Sequence, residues 1–217
     1  MGKSKRVFWQ ALIFTVVIFS IGIILGFFLD FSRADKVQLN LLNSEINLLD
    51  EQLREGIVGN FNVSCEASRE SLFNFANNIY DEAVQLESYD SASKFGDTLF
   101  ILHRRYDLLR TVLWMQAIEL KKTCGDDFHT VVYLYEYNVD DVDVRSKQLF
   151  FSRLLLDVKN DMPEDVVLIP IAINMDLESV DLIRQSYDLP KEAAIIIDEK
   201  KVVSDIVTFD EFKNLVF

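Results

Sequence analysis

The chain reads TVVYLYEYNVDDVDVRSKQLFFSRLL from Thr130 to Leu155. The first seven or eight residues are rich in β-branched and aromatic side chains, as a buried strand is. The last part spaces its apolar residues as one face of a helix. A short polar loop separates them, and it consists of Val139, Asp140, Asp141 and Val142. The stretch therefore predicts a strand, a loop and a helix in succession.

The same alternation continues to the end of the chain. DVVLIPIAI is a nearly continuous apolar strand, LESVDLIRQSY a helix, and AAIIIDEKKVVS a hairpin with its turn near Glu199 and Lys200. TFDEFKNLV predicts a closing helix capped by Thr208. The order β-α-β-α-β-β-α implies a parallel first pair of strands and helices on both faces of the sheet. The inward residues expected on the first of these helices are Leu149, Phe150, Leu154 and Val158.

This order resembles the thioredoxin fold, and the resemblance covers residues 129–217. The run from Val167 to Ser204 looks like the second half of a thioredoxin. The resemblance would place the two redox cysteines of the family in the loop from Val139 to Val142, where the chain has no thiol. It would place the cis-proline of the family at Ala193, with Pro190 three residues earlier. The resemblance thus implies a redox-inactive, α/β thioredoxin-like domain.

Residues 7–29 form an uncharged apolar block, VFWQALIFTVVIFSIGIILGFFL. At about 1.5 Å per residue its 23 residues span roughly 34 Å, enough to cross the hydrocarbon core of a membrane. A cleaved signal peptide has a shorter apolar region and a small-residue cleavage site, which the following FFLDFSR lacks. Lys3, Lys5 and Arg6 make residues 1–6 a basic tail. The positive-inside rule places that tail in the cytoplasm and the C-terminal domain outside, on a single-pass protein of the cell membrane.

Charge differs sharply between the two parts of the chain. The net charge of the whole is −13, and residues 1–36 carry +3, which leaves −16 for the remainder. A domain this acidic is not expected to bind nucleic acid, because phosphates require a basic face. The same charge argues against adsorption to anionic lipid, so lipid contact is expected only through residues 7–29.

Residues 34–58 predict a juxtamembrane helix with an apolar seam at spacings of three and four. The seam consists of Leu39, Leu42, Ile46, Leu49 and Leu53. It covers little more than two heptads, which is short for a coiled coil. In the preceding apolar block, Gly22 and Gly26 form a G-x-x-x-G pattern that lets two helices approach closely. A homodimer and a stalk that packs on its own domain both remain open.

Residues 64–124 predict two helices that pair as an antiparallel hairpin, with Ser64 or Ser68 as the first N-cap. Cys65 begins the first helix and Cys124 follows the second, so the hairpin brings both to one end. Outside the cytoplasm they are expected to form a disulfide, the alternative being two unrelated buried thiols. Asn62 begins the one N-x-S/T pattern and is a glycosylation acceptor only in an exported chain.

The sequence contains no motif for phosphate-loop, serine-hydrolase or dinucleotide chemistry. Asp140 and Asp141 lack the glycine and the distal glutamate of a calcium loop, and the only two histidines, His103 and His129, lie in different segments. Neither a metal nor a cofactor is therefore expected. The fold class is α+β overall, and the expected function is a non-catalytic scaffold that binds other proteins. The alternatives are a thiol oxidoreductase that uses Cys65 and Cys124 and a structural subunit of a membrane complex.

Overall fold

The protein is described from a computed structural model. The structure describes residues 8–10, 12–26, 42, 45–46, 48–50, 52–53, 56–57, 63–90, 96–125, 128–189 and 193–217. The chain forms two compact units, residues 1–52 and residues 53–217.

The N-terminal unit contains the apolar helix α1, Phe8–Gly26. Its 19 residues give a length of about 28 Å, and its composition and length are sufficient to cross a membrane. The described positions between 42 and 57 are all helical, and the seam residues among them, Leu42, Ile46, Leu49 and Leu53, are exposed. Leu39 lies outside the described residues.

The second unit begins with a helical hairpin formed by α2, Cys65–Asp90, and α3, Gly96–Cys124. Ser64 caps α2, because its hydroxyl accepts a hydrogen bond from the amide of Ala67 at 3.2 Å. α2 and α3 pack against each other, and a row of apolar residues on each helix is buried. The buried residues are Leu72, Phe75, Ile79 and Leu86 of α2, and Leu99, Leu102, Tyr106, Leu109, Leu113 and Leu120 of α3.

A four-stranded mixed sheet follows, with the strand order β2-β1-β3-β4. Its strands are β1, His129–Tyr135, β2, Val166–Ala172, β3, Ala194–Ile197, and β4, Lys201–Val203. β1 and β2 are parallel, with Tyr133 opposite Pro170. β3 is antiparallel to both of its neighbours. The predicted parallel first pair is confirmed.

Three helices complete this unit: α4, Val142–Asp161, α5, Glu178–Ser186, and α6, Phe209–Val216. α4 joins β1 to β2, and α5 lies between β2 and β3 in the chain. Thr208 caps α6 as predicted: its hydroxyl accepts from the Glu211 amide at 3.3 Å, and the Glu211 carboxylate accepts from the Thr208 amide at 2.8 Å.

The helices cover both faces of the sheet. Val131 and Tyr133 pack in one core with Phe151 of α4 and Phe212 of α6. Because side chains alternate along a strand, Thr130 belongs to the other face, and it contacts α3. The hairpin and the sheet are thus held together in one unit.

One expectation about α4 was wrong. Leu149, predicted to point inward, is 55 % exposed, whereas Phe151 and Leu155 are fully buried beside Leu154 and Val158. Phe150 is half-buried as a neighbour of this core. The helix carries apolar residues on nearly all sides, so its periodicity does not fix which side faces the sheet.

Candidate functional site

Val139, Asp140 and Asp141 lie between the end of β1 and the start of α4, where the sequence predicted a loop; Val142, predicted as its last residue, is the first residue of α4. Asp141 is the N-cap of α4, since one carboxylate oxygen accepts from the amides of Asp143 at 2.8 Å and Val144 at 3.2 Å. The Arg145 guanidinium donates to the carbonyls of Val139 at 3.0 Å and Asp140 at 3.2 Å. The loop is therefore held by capping and backbone bonds.

The same end of the sheet is fixed by Asn174, just beyond β2. Its side-chain oxygen accepts from the Tyr137 amide and its nitrogen donates to the Tyr137 carbonyl, both at 2.8 Å. The His103 ring of α3 lies 4.3 Å from the Tyr137 ring, measured between centroids. These contacts attach α3 to the loop end of the sheet. Ala193 is fully buried directly before β3, and Pro190 lies outside the described residues.

Cys65 and Cys124 lie at the same end of the hairpin, with their sulfur atoms at bonding distance and their Cα atoms 5.6 Å apart. This geometry is compatible with the expected disulfide. These two are the only cysteines in the sequence, and both lie outside the loop that precedes α4. With its sulfur atoms joined, the pair offers no thiolate for attack on another disulfide.

Asp107 of α3 is the most deeply buried acid among the described residues, with 1 % of its surface exposed. One carboxylate oxygen accepts from the Ala172 amide and from the Arg110 guanidinium, both at 3.2 Å. The other oxygen is buried and lacks a hydrogen-bond partner in the described part of the chain. Burial raises the pKa of Asp107 to about 6, although Arg110, the Ala172 amide and His103 act in the opposite direction.

A second polar cluster lies at the opposite end of the sheet, around Asp198. One carboxylate oxygen of Asp198 accepts from the Lys121 ammonium at 2.5 Å and from the Thr130 amide at 3.0 Å. The other oxygen lies 2.6 Å from Nδ1 of His129. Partial burial opposes ionisation, but the bonds from His129, Lys121 and Thr130 hold the pKa of Asp198 below its usual range.

Glu199 extends this cluster toward the sheet face covered by α3. Its carboxylate accepts from the Trp114 indole at 2.7 Å and from the Thr130 hydroxyl at 2.5 Å, and lies 3.7 Å from the Lys121 ammonium. Trp114 and Thr130 are both fully buried. The cluster therefore joins α3, β1 and the turn between β3 and β4 through hydrogen bonds between residues far apart in the chain.

A cavity of about 590 Å³ opens beside this cluster. Its wall is formed by the last turns of α3, the start of β1 and the β3–β4 turn. Three lysines, His129 and the two carboxylates line it together with Ile118 and Phe128. Among the described residues, no group of three His, Cys, Asp or Glu side chains could hold a metal ion.

The remaining predicted positions lie apart from both clusters. Gly22 and Gly26 are on α1, and a Cβ atom added at either would meet nothing within 4 Å. Their role in helix association stays a prediction. Asn62 lies outside the described residues.

Comparison of the chain with family models, with curated proteins and with solved structures finds no match. The site must therefore be interpreted from its own geometry.

Sequence reasoning identified the loop and the cysteine pair but missed both carboxylate clusters. Asp107 lies next to Tyr106, within the apolar pattern of α3, and that position was a signal that its carboxylate is buried. For Asp198 the available signal was weaker: a tight hairpin turn with no glycine. Its contact with Lys121 has no local signature at all.

Proposed function

We propose that this protein is a single-pass membrane protein that displays a thioredoxin-like, redox-inactive domain outside the cytoplasm, where the domain binds other proteins. α1 supplies a helix long enough for the membrane, and the basic tail favours a cytoplasmic N-terminus. The thioredoxin-like assignment is supported by the order β2-β1-β3-β4, by the parallel β1–β2 pair and by the antiparallel β3.

The observation that carries the binding proposal is an exposed apolar stripe on α4. Val142, Leu149 and Leu156 are spaced by seven residues, so they lie along one side of the helix. They are 68 %, 55 % and 50 % exposed. The stripe begins at the thiol-free loop and runs along the outer side of α4, away from Phe151 and Leu155. A row of exposed apolar side chains on a domain this acidic favours contact with another protein.

The absence of a nucleophile at the loop supports binding over redox catalysis. This loop, Val139 to Val142, contains no thiol. Its Asp141 carboxylate already accepts hydrogen bonds from the first amides of α4. The cysteine pair lies elsewhere, at the end of the hairpin. Its position between α2 and α3 suits a covalent brace for two long helices.

Site-specific photocrosslinking in native membranes tests the proposal. A photoreactive amino acid at Leu149 or at Leu156 is expected to capture a protein, because both side chains face outward on the stripe. The same amino acid at Asp205, an exposed position outside the stripe, serves as the matched control. Equal capture at all three positions, or none at the two leucines, would contradict a binding surface on α4.

A further inference from the structure

We propose that the cavity beside the β3–β4 turn binds a phosphate or carboxylate group of a small organic molecule. The cavity lies at the start of β1. The thiol-free loop and the apolar stripe on α4 both begin beyond the other end of β1. β1 has seven residues, and at about 3.3 Å each they separate the two ends by roughly 20 Å. The ligand site is thus independent of the protein-binding surface proposed above.

The turn that forms one wall keeps its two carboxylates at a conformational cost. The Lys200 amide donates to the Ile197 carbonyl at 3.0 Å, and Asp198 and Glu199 between them have φ values of 48° and 58°. Such turns usually have glycine at the second of these positions, because a residue with a side chain is strained in the left-handed region. Glu199 accepts this cost and places its carboxylate on Trp114 and Thr130. Strained residues of this kind are concentrated at functional sites.

The two carboxylates are already engaged, so they do not make the cavity a cation site. Lys121 neutralises Asp198 and lies near Glu199, and its side chain is only 6 % exposed. Among the described residues of the lining, the other two lysines are Lys122 and Lys200, and both are exposed. Within the described part of the chain, Lys122 pairs with the exposed Glu119 at 3.8 Å, and an exposed ion pair of this kind is weak. Over the lining residues that the structure describes, three lysines and two carboxylates sum to +1, within a chain of net charge −13.

His129 adds a directional contact to these charges. Nδ1 of His129 lies 2.6 Å from a carboxylate oxygen of Asp198, whose pKa is lowered, so Nδ1 carries a hydrogen and donates to that oxygen. Nε2 is then the nitrogen left for a ligand, and 27 % of the side chain is exposed. The Phe217 ring, 4.7 Å away, packs edge-on and fixes the imidazole in place. When the ring carries hydrogens on both nitrogens, Nε2 donates to one oxygen of a phosphate or carboxylate group, and the other oxygens of that group accept from the lysines.

The remaining wall and the volume define the rest of the ligand. Ile118 and Phe128 provide an apolar surface next to the charges. A volume of about 590 Å³ is within the range of about 300–1,000 Å³ that small-molecule sites occupy. The site therefore fits an organic anion with a compact apolar or aromatic body, rather than a bare inorganic ion.

The chain has two histidines, which makes nuclear magnetic resonance of histidine-labelled, full-length protein in detergent a direct test. Phenyl phosphate, benzoate and inorganic phosphate are titrated as probes. We expect a saturable shift of the His129 ring signal with a dissociation constant at or below about 1 mM for at least one organic probe. The His103 signal, from the other end of the sheet, should not move. Tighter binding of phenyl phosphate or of benzoate identifies the preferred group.

Two variants complete the test. Lys122→Gln combined with Lys200→Gln should weaken binding about tenfold, since each removes an exposed cation beside the ligand. Lys147→Gln on α4 also removes one positive charge, as each of these exchanges does. Lys147 lies away from the cavity, so its replacement should leave the affinity unchanged. The proposal is overturned if no probe gives a saturable shift, if both histidines shift together, or if Lys147→Gln weakens binding as much as the double variant.

Discussion

Replacement of Asp107 by asparagine should make the protein more stable at neutral pH. The wild-type carboxyl has a pKa of about 6 in place of 3.8, because it is buried against β2 with one oxygen lacking a partner among the described residues. A shift of about two pH units corresponds to about 3 kcal/mol in favour of the neutral form. The folded state binds this proton more tightly than the unfolded state does. The stability that the protonated Asp107 contributes to the folded state is therefore fully present below about pH 4 and is lost as the pH rises through 6.

The asparagine of the Asp107→Asn variant imitates the neutral carboxyl and still has an oxygen for the Ala172 amide. We expect the free energies of unfolding of the variant and of the wild type to agree near pH 4. At pH 7.5 the variant should be more stable by up to about 3 kcal/mol. Denaturant unfolding of the full-length protein in a neutral detergent, followed by near-ultraviolet circular dichroism, measures this difference at each pH.

The comparison between the two proteins isolates Asp107, because every other titrating group is common to both. Asp157→Asn provides a matched control, since the same exchange is made at an exposed position of α4. The reasoning fails if the difference between Asp107→Asn and the wild type is independent of pH. It also fails if the variant is the less stable protein at pH 7.5, because burial would then not be the dominant influence on this carboxyl.

Four further predictions concern other parts of the chain. Lys121→Met should destabilise the protein by about 3 kcal/mol in denaturant unfolding, because it leaves Asp198 partly buried without its cation; a loss below about 1 kcal/mol would contradict the cluster. In the wild type, the stability that Asp198 contributes should be present above about pH 4 and lost below it, since its pKa is lowered. Thr208→Ala should cost about 1 kcal/mol by removing the cap of α6, and Thr208→Ser should restore most of it. If the chain forms a homodimer through α1, Gly22→Leu with Gly26→Leu should abolish chemical crosslinking between copies in membranes, and unchanged crosslinking would exclude that face.

The order of strands and helices could be predicted from the spacing of apolar residues and from capping residues. Each of these patterns reflects how one strand or helix is buried or capped, so it can be recognised within that segment alone. VLIPIAI is apolar throughout, and β2 is accordingly covered by α3 and α4. Thr208 with Glu211 three residues later is a complete capping signal within four residues. The cysteine pairing followed from the hairpin, since an antiparallel pair of helices brings its outer ends together.

The contacts that sequence reasoning missed depend on how elements pack. Lys121 and Asp198 are 77 residues apart, and only the packing of α3 across the sheet brings them together. The prediction that Leu149 faces inward was wrong for a related reason. α4 has apolar residues on nearly all of its sides, and the rotation of the helix on the sheet determines which of them are buried. Asp107 is a different case: its place within the apolar pattern of α3 signals burial, but the hydrogen bond from the Ala172 amide follows only from the packing of α3 on β2.

The most direct test of the proposed architecture is the mass of the intact protein from native membranes after alkylation of free thiols, with and without prior reduction. An exported domain braced by Cys65 and Cys124 predicts that neither cysteine reacts until the protein is reduced, and that both react afterward. Reaction of both cysteines without reductant would contradict the proposal, because the domain would then face a reducing compartment or carry thiols available for chemistry.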